Sequence, residues 1–182
     1  MLQDLSLDTI FTAGLTQACD AYKYSMHDEV RQYVTNTFVH NITSEFASKP
    51  NESFDLFIIH DQLPHTSAAS ELLKHNGDYY LTLAGFMPEA LCDRFSEFEY
   101  YLYVGKYSYY RLSQRLPSAQ LYKTLSFDYM KLVYILNETF DIIRTRDNID
   151  IIKTFDAYKK TKHAIFRKRL ARVGLSISDI NY

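Results

Sequence analysis

The chain has no tryptophan, two cysteines, four prolines and five glycines in 182 residues. Each scarcity excludes something. Cys19 and Cys92 lie far apart and neither belongs to a CxxC pair, which argues against a zinc site or a disulfide scaffold. With so little proline and glycine there are few turn signals, and long stretches can keep one helical period. No apolar run approaches the length of a membrane span. The N-terminus carries Asp4 and Asp8 and no basic segment before an apolar run, so no signal peptide is expected. The formal charge of −2 gives no global pull toward nucleic acid or an anionic membrane. The expectation is a reduced, soluble, cytoplasmic protein with no membrane association.

What is present is apolar and aromatic. Hydrophobic residues make up 47% and aromatics 15%, enough to bury a sizeable core. Sixteen of the aromatics are tyrosines, which combine apolar area with a polar tip and suit core edges and interfaces. The length predicts a single domain over residues 1–182. The chain is organised around Gly77–Leu91 and the tyrosine run that follows to Tyr110, which together hold three of the five glycines.

Helical spacing recurs almost throughout. Leu5, Ile10, Leu15, Ala18 and Tyr22 predict a first helix, weakened by Gly14. Ser25 predicts the N-cap of a second, with Asp28 and Glu29 in its first turn. Ser53 caps a short segment, Phe54 to Ile59. Its Phe57, Ile58 and Ile59 would suit a strand, but a lone strand has no partner, so a helix closed by Pro64 is expected.

Thr66 or Ser67 opens a central helix with Leu72, Leu73, Tyr79 or Tyr80, Leu83 and Phe86 on its apolar side. Glu71, Lys74, His75, Asp78, Thr82 and Gly85 form the opposite stripe, either a site or a solvated face. Pro88 fits the first turn of a short helix. Ser96 and Glu99 form a capping box for a helix showing Phe98, Tyr101, Leu102, Gly105, Tyr109 and Leu112 on one side. That helix stops at Pro117. Ser118 then opens one long helix through Leu121, Leu125, Leu132, Leu136, Phe140 and Ile143. Asp147 opens the last, which ends at Gly174 as a left-handed cap followed by Leu175. The sum is an all-α bundle of six or seven helices. A glycine inside a helix costs about 1 kcal/mol relative to alanine, so Gly85 and Gly105 need a reason. Close antiparallel packing of their two helices, with Phe86, Tyr101 or Tyr109 supplying a ring, would be one.

The pattern Gly77-Asp78, Leu81, Gly85-Phe86, Pro88-Glu89, Leu91, then Tyr100-Tyr101, Gly105, Tyr109, Leu112 resembles a bacterial family of uncharacterised helical proteins. The run from Tyr158 through Leu170 to Gly174-Leu175 is similar to that family's last helix. The resemblance covers the second half to two-thirds of the chain. It departs at Met87, where an aromatic is more usual, and at Lys106, where a small or neutral residue is. It implies a soluble bacterial protein and carries no assigned chemistry.

Five features are candidates for chemistry. His40, the doublet His60-Asp61 and Asp78 or Asp93 follow the order of a metal-dependent phosphohydrolase, although His-Asp doublets also arise by chance in polar connectors. His60, Asp61, His65 and His75 lack the tight ligand spacing of a metal helix. Cys92 stands beside Asp93 and Arg94; Arg94 or a helix N-terminus could lower its pKa, but no histidine is arranged as its base, and a buried structural cysteine is expected. Lys159, Lys160, Lys162, Arg167, Lys168, Arg169 and Arg172 run without an acid between them. They could grip phosphates, but as a helix-end face they are expected to be solvated. Tyr100, Tyr101, Tyr103, Tyr107, Tyr109 and Tyr110 point all round one helix, so some must meet something other than a single core.

The reading is a non-enzymatic helical interaction or regulatory protein. Its partner is expected to be another protein or a second copy as a homodimer, with no metal and no cofactor. His75, Asp78, Tyr79, Tyr100, Tyr101, Gly105 and Tyr109 are the candidate interface or pocket residues. The alternatives are a nucleic-acid-associated factor using the basic C-terminal helix and a metal-dependent phosphohydrolase-like enzyme.

Overall fold

A computed structural model describes residues 6–43, 58, 63–92, 98–143 and 150–175. Among the described residues there are nine α-helices and no strand. They are α1 (Leu7–Ala21), α2 (Asp28–Thr43), α3 (Ser67–Phe86), α4 (Glu89–Cys92) and α5 (Phe98–Ser113), followed by α6 (Ala119–Phe127), α7 (Tyr129–Ile143), α8 (Ile151–Thr161) and α9 (Ala164–Arg172).

Local chemistry sets most of the helix ends. Ser6 caps α1 by accepting from the Thr9 amide at 3.2 Å. Thr66 caps α3 in the same way, accepting from Ala69. α2 begins at Asp28, so His27 and not Ser25 stands at its cap position, while Asp28 and Glu29 lie in its first turn as expected. Gly174 lies in the left-handed region at φ +85, donating to Ala171, while the Leu175 amide donates to Leu170. These two bonds make the paired helix stop that a C′ glycine permits.

Three expectations are corrected. The helix expected to run unbroken from Ser118 to Ile143 is two, α6 and α7, divided at Asp128. There the Asp128 carboxylate accepts from Tyr24 at 2.9 Å and from Lys131 at 3.2 Å. The last helix is also two, because Lys162 turns left-handed at φ 55 and His163 is extended. Asp150, not Asp147, caps α8, accepting from Lys153 at 3.0 Å. Ser118 stands at its cap position without a side-chain bond. The expected Ser53–Ile59 helix, apart from Ile58, and the Ser96 cap lie outside the described residues.

α3 is the central helix. Every residue from Asn76 to Gly85 is buried, so α3 has no solvent face there. α2, α5 and α7 pack around it. Against α5 it runs antiparallel: the Tyr109 ring lies over Gly77, while Tyr80 meets Gly105 and Tyr101. At Gly105 the reason for a glycine is explicit. A Cβ there would overlap the Tyr129 hydroxyl and come within 2.7 Å of its Cζ. The ring that closes on Gly105 therefore comes from α7, not from Phe86, Tyr101 or Tyr109. Gly85 faces Leu136 of α7, not α5. Phe11, Phe38, Phe86 and Phe140 join α1, α2, α3 and α7 in one aromatic cluster, with centroid separations of 4.0–6.1 Å.

Candidate functional site

Burying α3 on all sides puts Asp78 in the interior, where an unpaired carboxylate would be expensive. Four elements supply its surroundings. Tyr33 of α2 donates to Asp78 Oδ1 at 2.6 Å, and Tyr109 of α5 donates to the same oxygen at 2.8 Å. Lys74, one turn back on α3, reaches Oδ2 at 2.6 Å and lies over the Tyr33 ring. Tyr122 of α6 packs edge-on to Tyr33 and stacks on Tyr109. Deeper on the same helix, Thr82 donates to the Asp78 carbonyl and accepts from Asn41 at 2.9 Å.

Burial, reinforced by the Asp78 charge, pushes the Tyr33 and Tyr109 phenols far above their ordinary value, so both remain donors. Tyr129, on α7, is pushed up by the same two causes. Its hydroxyl is buried and makes no hydrogen bond among the described residues. Chemically this is a closed knot: one carboxylate satisfied by two phenols and an ammonium, all used within the chain.

A second knot fastens the C-terminus. Nη1 of Arg169 donates to both Glu89 carboxylate oxygens at 2.6 and 2.8 Å, and its Nε lies 3.4 Å from Asp141. Arg172 pairs with Asp141 and Glu138, and Lys168 pairs with Glu138 while its ammonium sits over the Tyr22 ring. Burial alone would raise the Glu138 carboxyl, but Lys168 and Arg172 together hold it below its ordinary value. The expectation of a solvated basic face is therefore corrected for three of the seven residues, Lys168, Arg169 and Arg172. Arg169 is 3% exposed, and Lys168 and Arg172 are committed to internal acids. Those acids sit 28 to 80 positions away in the chain, so the absence of acid within the run was no guide.

The remaining candidates separate. Of the phosphohydrolase-like set, Asp78 belongs to the tyrosine knot, His40 is exposed on α2, and His60, Asp61 and Asp93 lie outside the described residues. Among the described residues no three His, Cys, Asp or Glu side chains gather as a metal could require. His65 is exposed, and His75 is half-buried against Tyr79. The Cys92 thiol donates to the Pro88 carbonyl at 3.7 Å, and burial holds the Cys19 thiol above its usual pKa. Among the described residues neither cysteine is in a disulfide.

Of the interface or pocket candidates, Asp78, Tyr79, Tyr101, Gly105 and Tyr109 are buried, and His75 and Tyr100 are half-buried. Asp78 and Tyr109 meet directly, and Tyr101 and Gly105 meet Tyr80. The open surface of α5 belongs to other tyrosines. Tyr103 and Tyr110 are 49% and 48% exposed and Tyr107 is half-buried. The Tyr103 and Tyr107 rings stack at 5.6 Å and 10°, and those of Tyr107 and Tyr110 at 5.7 Å and 27°. Helical steps of four and three put all three in one column. Helical spacing in the sequence already set Phe98, Tyr101, Leu102, Gly105, Tyr109 and Leu112 on one side, but nothing there showed that Tyr103, Tyr107 and Tyr110 stack on the other. A surface cleft of 370 Å³ lies elsewhere, between the α1–α2 connection and α6, lined by Tyr24, His27, Lys123, Phe127 and Asp128 among others.

No family model, curated protein or solved structure matches this chain.

Proposed function

We propose that this chain is a non-enzymatic helical interaction protein that docks through the outer face of α5. The observation that carries the reading is the column Tyr103–Tyr107–Tyr110, stacked and open to solvent on a helix whose other face is fixed in the core. Tyrosine gives large contact area with little rotamer entropy to lose, and prestacking lowers that loss further. Among the described residues four carboxylates of the interior are engaged within the chain: Asp78 holds two phenols and a lysine, and Glu89, Glu138 and Asp141 hold the C-terminal cations. The nucleic-acid alternative loses Lys168, Arg169 and Arg172 from its basic surface and keeps Lys159, Lys160, Lys162 and Arg167.

The test is the size of the full chain in an extract of its own cells, compared with a Tyr103→Ser/Tyr110→Ser double variant of equal stability. The reading expects a larger complex for the wild type, lost in the variant. Identical elution of the two would overturn it.

A further inference from the structure

We infer that α8 lies on an anionic membrane surface, Ile151 and Ile152 entering the headgroup layer while Lys159 and Lys162 meet lipid phosphates. The inference is independent of the docking face on α5.

An amphipathic helix ordinarily buries its apolar stripe. α8 does not. Its buried residues are Thr154 and Ala157, and the Thr154 hydroxyl donates to Glu89 or to the Asp150 carbonyl. Ile151, Phe155 and Tyr158, spaced by four and three, form a second stripe about a quarter-turn round the helix. Ile151 is 44% exposed and the adjoining Ile152 75%, while Phe155 and Tyr158 are half-buried. The apolar side of α8 therefore opens to solvent at its N-terminal end.

Cations follow on the same side. Lys159 holds its ammonium 5.5 Å from the Phe155 ring centroid, and Lys162 holds its own 5.2 Å from that of Tyr158. Exposed Asp156 lies across the helix from Ile151 and Tyr158, and Asp150 is turned to the cap of α8. The stripe grades from aliphatic to cationic.

That gradation decides among occupants. Nucleic acid would use the lysines and leave two exposed isoleucines without a role. A dry protein groove would take the isoleucines, but it would also have to strip water from the two ammoniums that cover the rings. A lipid headgroup layer satisfies both, because aliphatic side chains dip in while lysine heads stay wet beside phosphates. The expectation of no membrane association rests on global charge and on the lack of a spanning run, and neither governs a local contact. Residues 150–175 hold eight of the twenty Lys and Arg and only two acids. Three of the eight, Lys168, Arg169 and Arg172, are spent on internal acids, so the contact is weak and reversible.

The experiment uses the purified full chain, which has no tryptophan, so Ile152→Trp is a single reporter at the point of contact. On phosphatidylcholine vesicles containing phosphatidylglycerol its emission should move to the blue and be quenched by lipid brominated on the acyl chain. Phosphatidylcholine alone should do neither, and Phe127→Trp on α6 should be quenched less. In co-sedimentation with the anionic vesicles, Lys159→Gln/Lys162→Gln should bind at least tenfold more weakly and Ile152→Ser about fivefold. These changes fall on exposed side chains, and matching denaturant melts keep a loss of fold from imitating a loss of binding. No binding to either vesicle overturns the inference. So does binding that needs the lysines and ignores Ile152→Ser, which would mark a charge-only grip on polyanions. A blue shift with polyglutamate and none with vesicles would assign the face to an acidic protein instead.

Discussion

The two faces of α5 are built from the same residue and serve different ends. On the inner face Tyr101 and Tyr109 are 1% and 0% exposed, and Tyr109 spends its hydroxyl on Asp78. On the outer face Tyr103 and Tyr110 are about half exposed and lean on Tyr107. What separates them is the other helices. Gly77 leaves room for the Tyr109 ring and Gly105 for the Tyr129 hydroxyl, so α3 and α7 close on one side only. A tyrosine's contribution to the fold thus depends on where its hydroxyl is spent, and tyrosine content alone cannot assign it.

The largest effects should come from breaking interior knots. Arg169→Gln leaves the Glu89 carboxylate without a cation and Asp141 with Arg172 alone, and is expected to cost about 3–5 kcal/mol in a denaturant melt. The same change at Lys159, which is exposed, should be near neutral. A cost near zero for Arg169→Gln would mean that α9 is held by packing alone.

Gly105→Leu should be severe, and Gly105→Ala is expected to cost about 1–3 kcal/mol because a rigid buried ring must move. Tyr129→Phe alone removes a buried hydroxyl without a partner and should be neutral or stabilising. Combined with Gly105→Ala it should recover much of the loss. A double-mutant cycle with no coupling would show that the two residues do not meet.

A smaller effect depends on pH. His163 caps α9, its Nδ1 accepting from the Ile165 amide at 3.4 Å, and its ring packs among Phe98, Tyr134 and Phe166. Burial lowers its pKa from 6.5, partly offset by Glu99. The folded chain therefore binds the proton less readily than the unfolded chain. Stability from this group is intact above pH 6.5 and is lost as pH falls from there to the lowered folded value. His163→Asn keeps a cap without a titrating ring. The wild type should lose more stability than this variant between neutral and mildly acidic pH. Parallel curves would remove His163 from the account.

Much of this division could be read from the sequence. Phe98, Tyr101, Leu102, Gly105, Tyr109 and Leu112 keep one helical stripe, and all are buried. Thr66 and Gly174 announced their helix ends through local cap chemistry. The breaks at Asp128 and Lys162 were hidden because apolar spacing continues across them and neither residue is a strong breaker. The polar stripe of α3 misled for a different reason. Asp78 and Thr82 are interior because Tyr33, Tyr109 and Asn41, from other helices, satisfy them. Partners 31 to 45 positions away leave no local signal.

The comparison is tested most directly by deleting one hydroxyl at adjacent positions, Tyr109→Phe and Tyr110→Phe, and measuring both denaturant midpoints. Tyr109→Phe removes a bond to a buried carboxylate and should cost about 1.5–3 kcal/mol, whereas Tyr110→Phe should match the wild type within about 0.5 kcal/mol. Equal shifts in the two variants would contradict the account, because the two faces of α5 would then not divide the work of holding the fold.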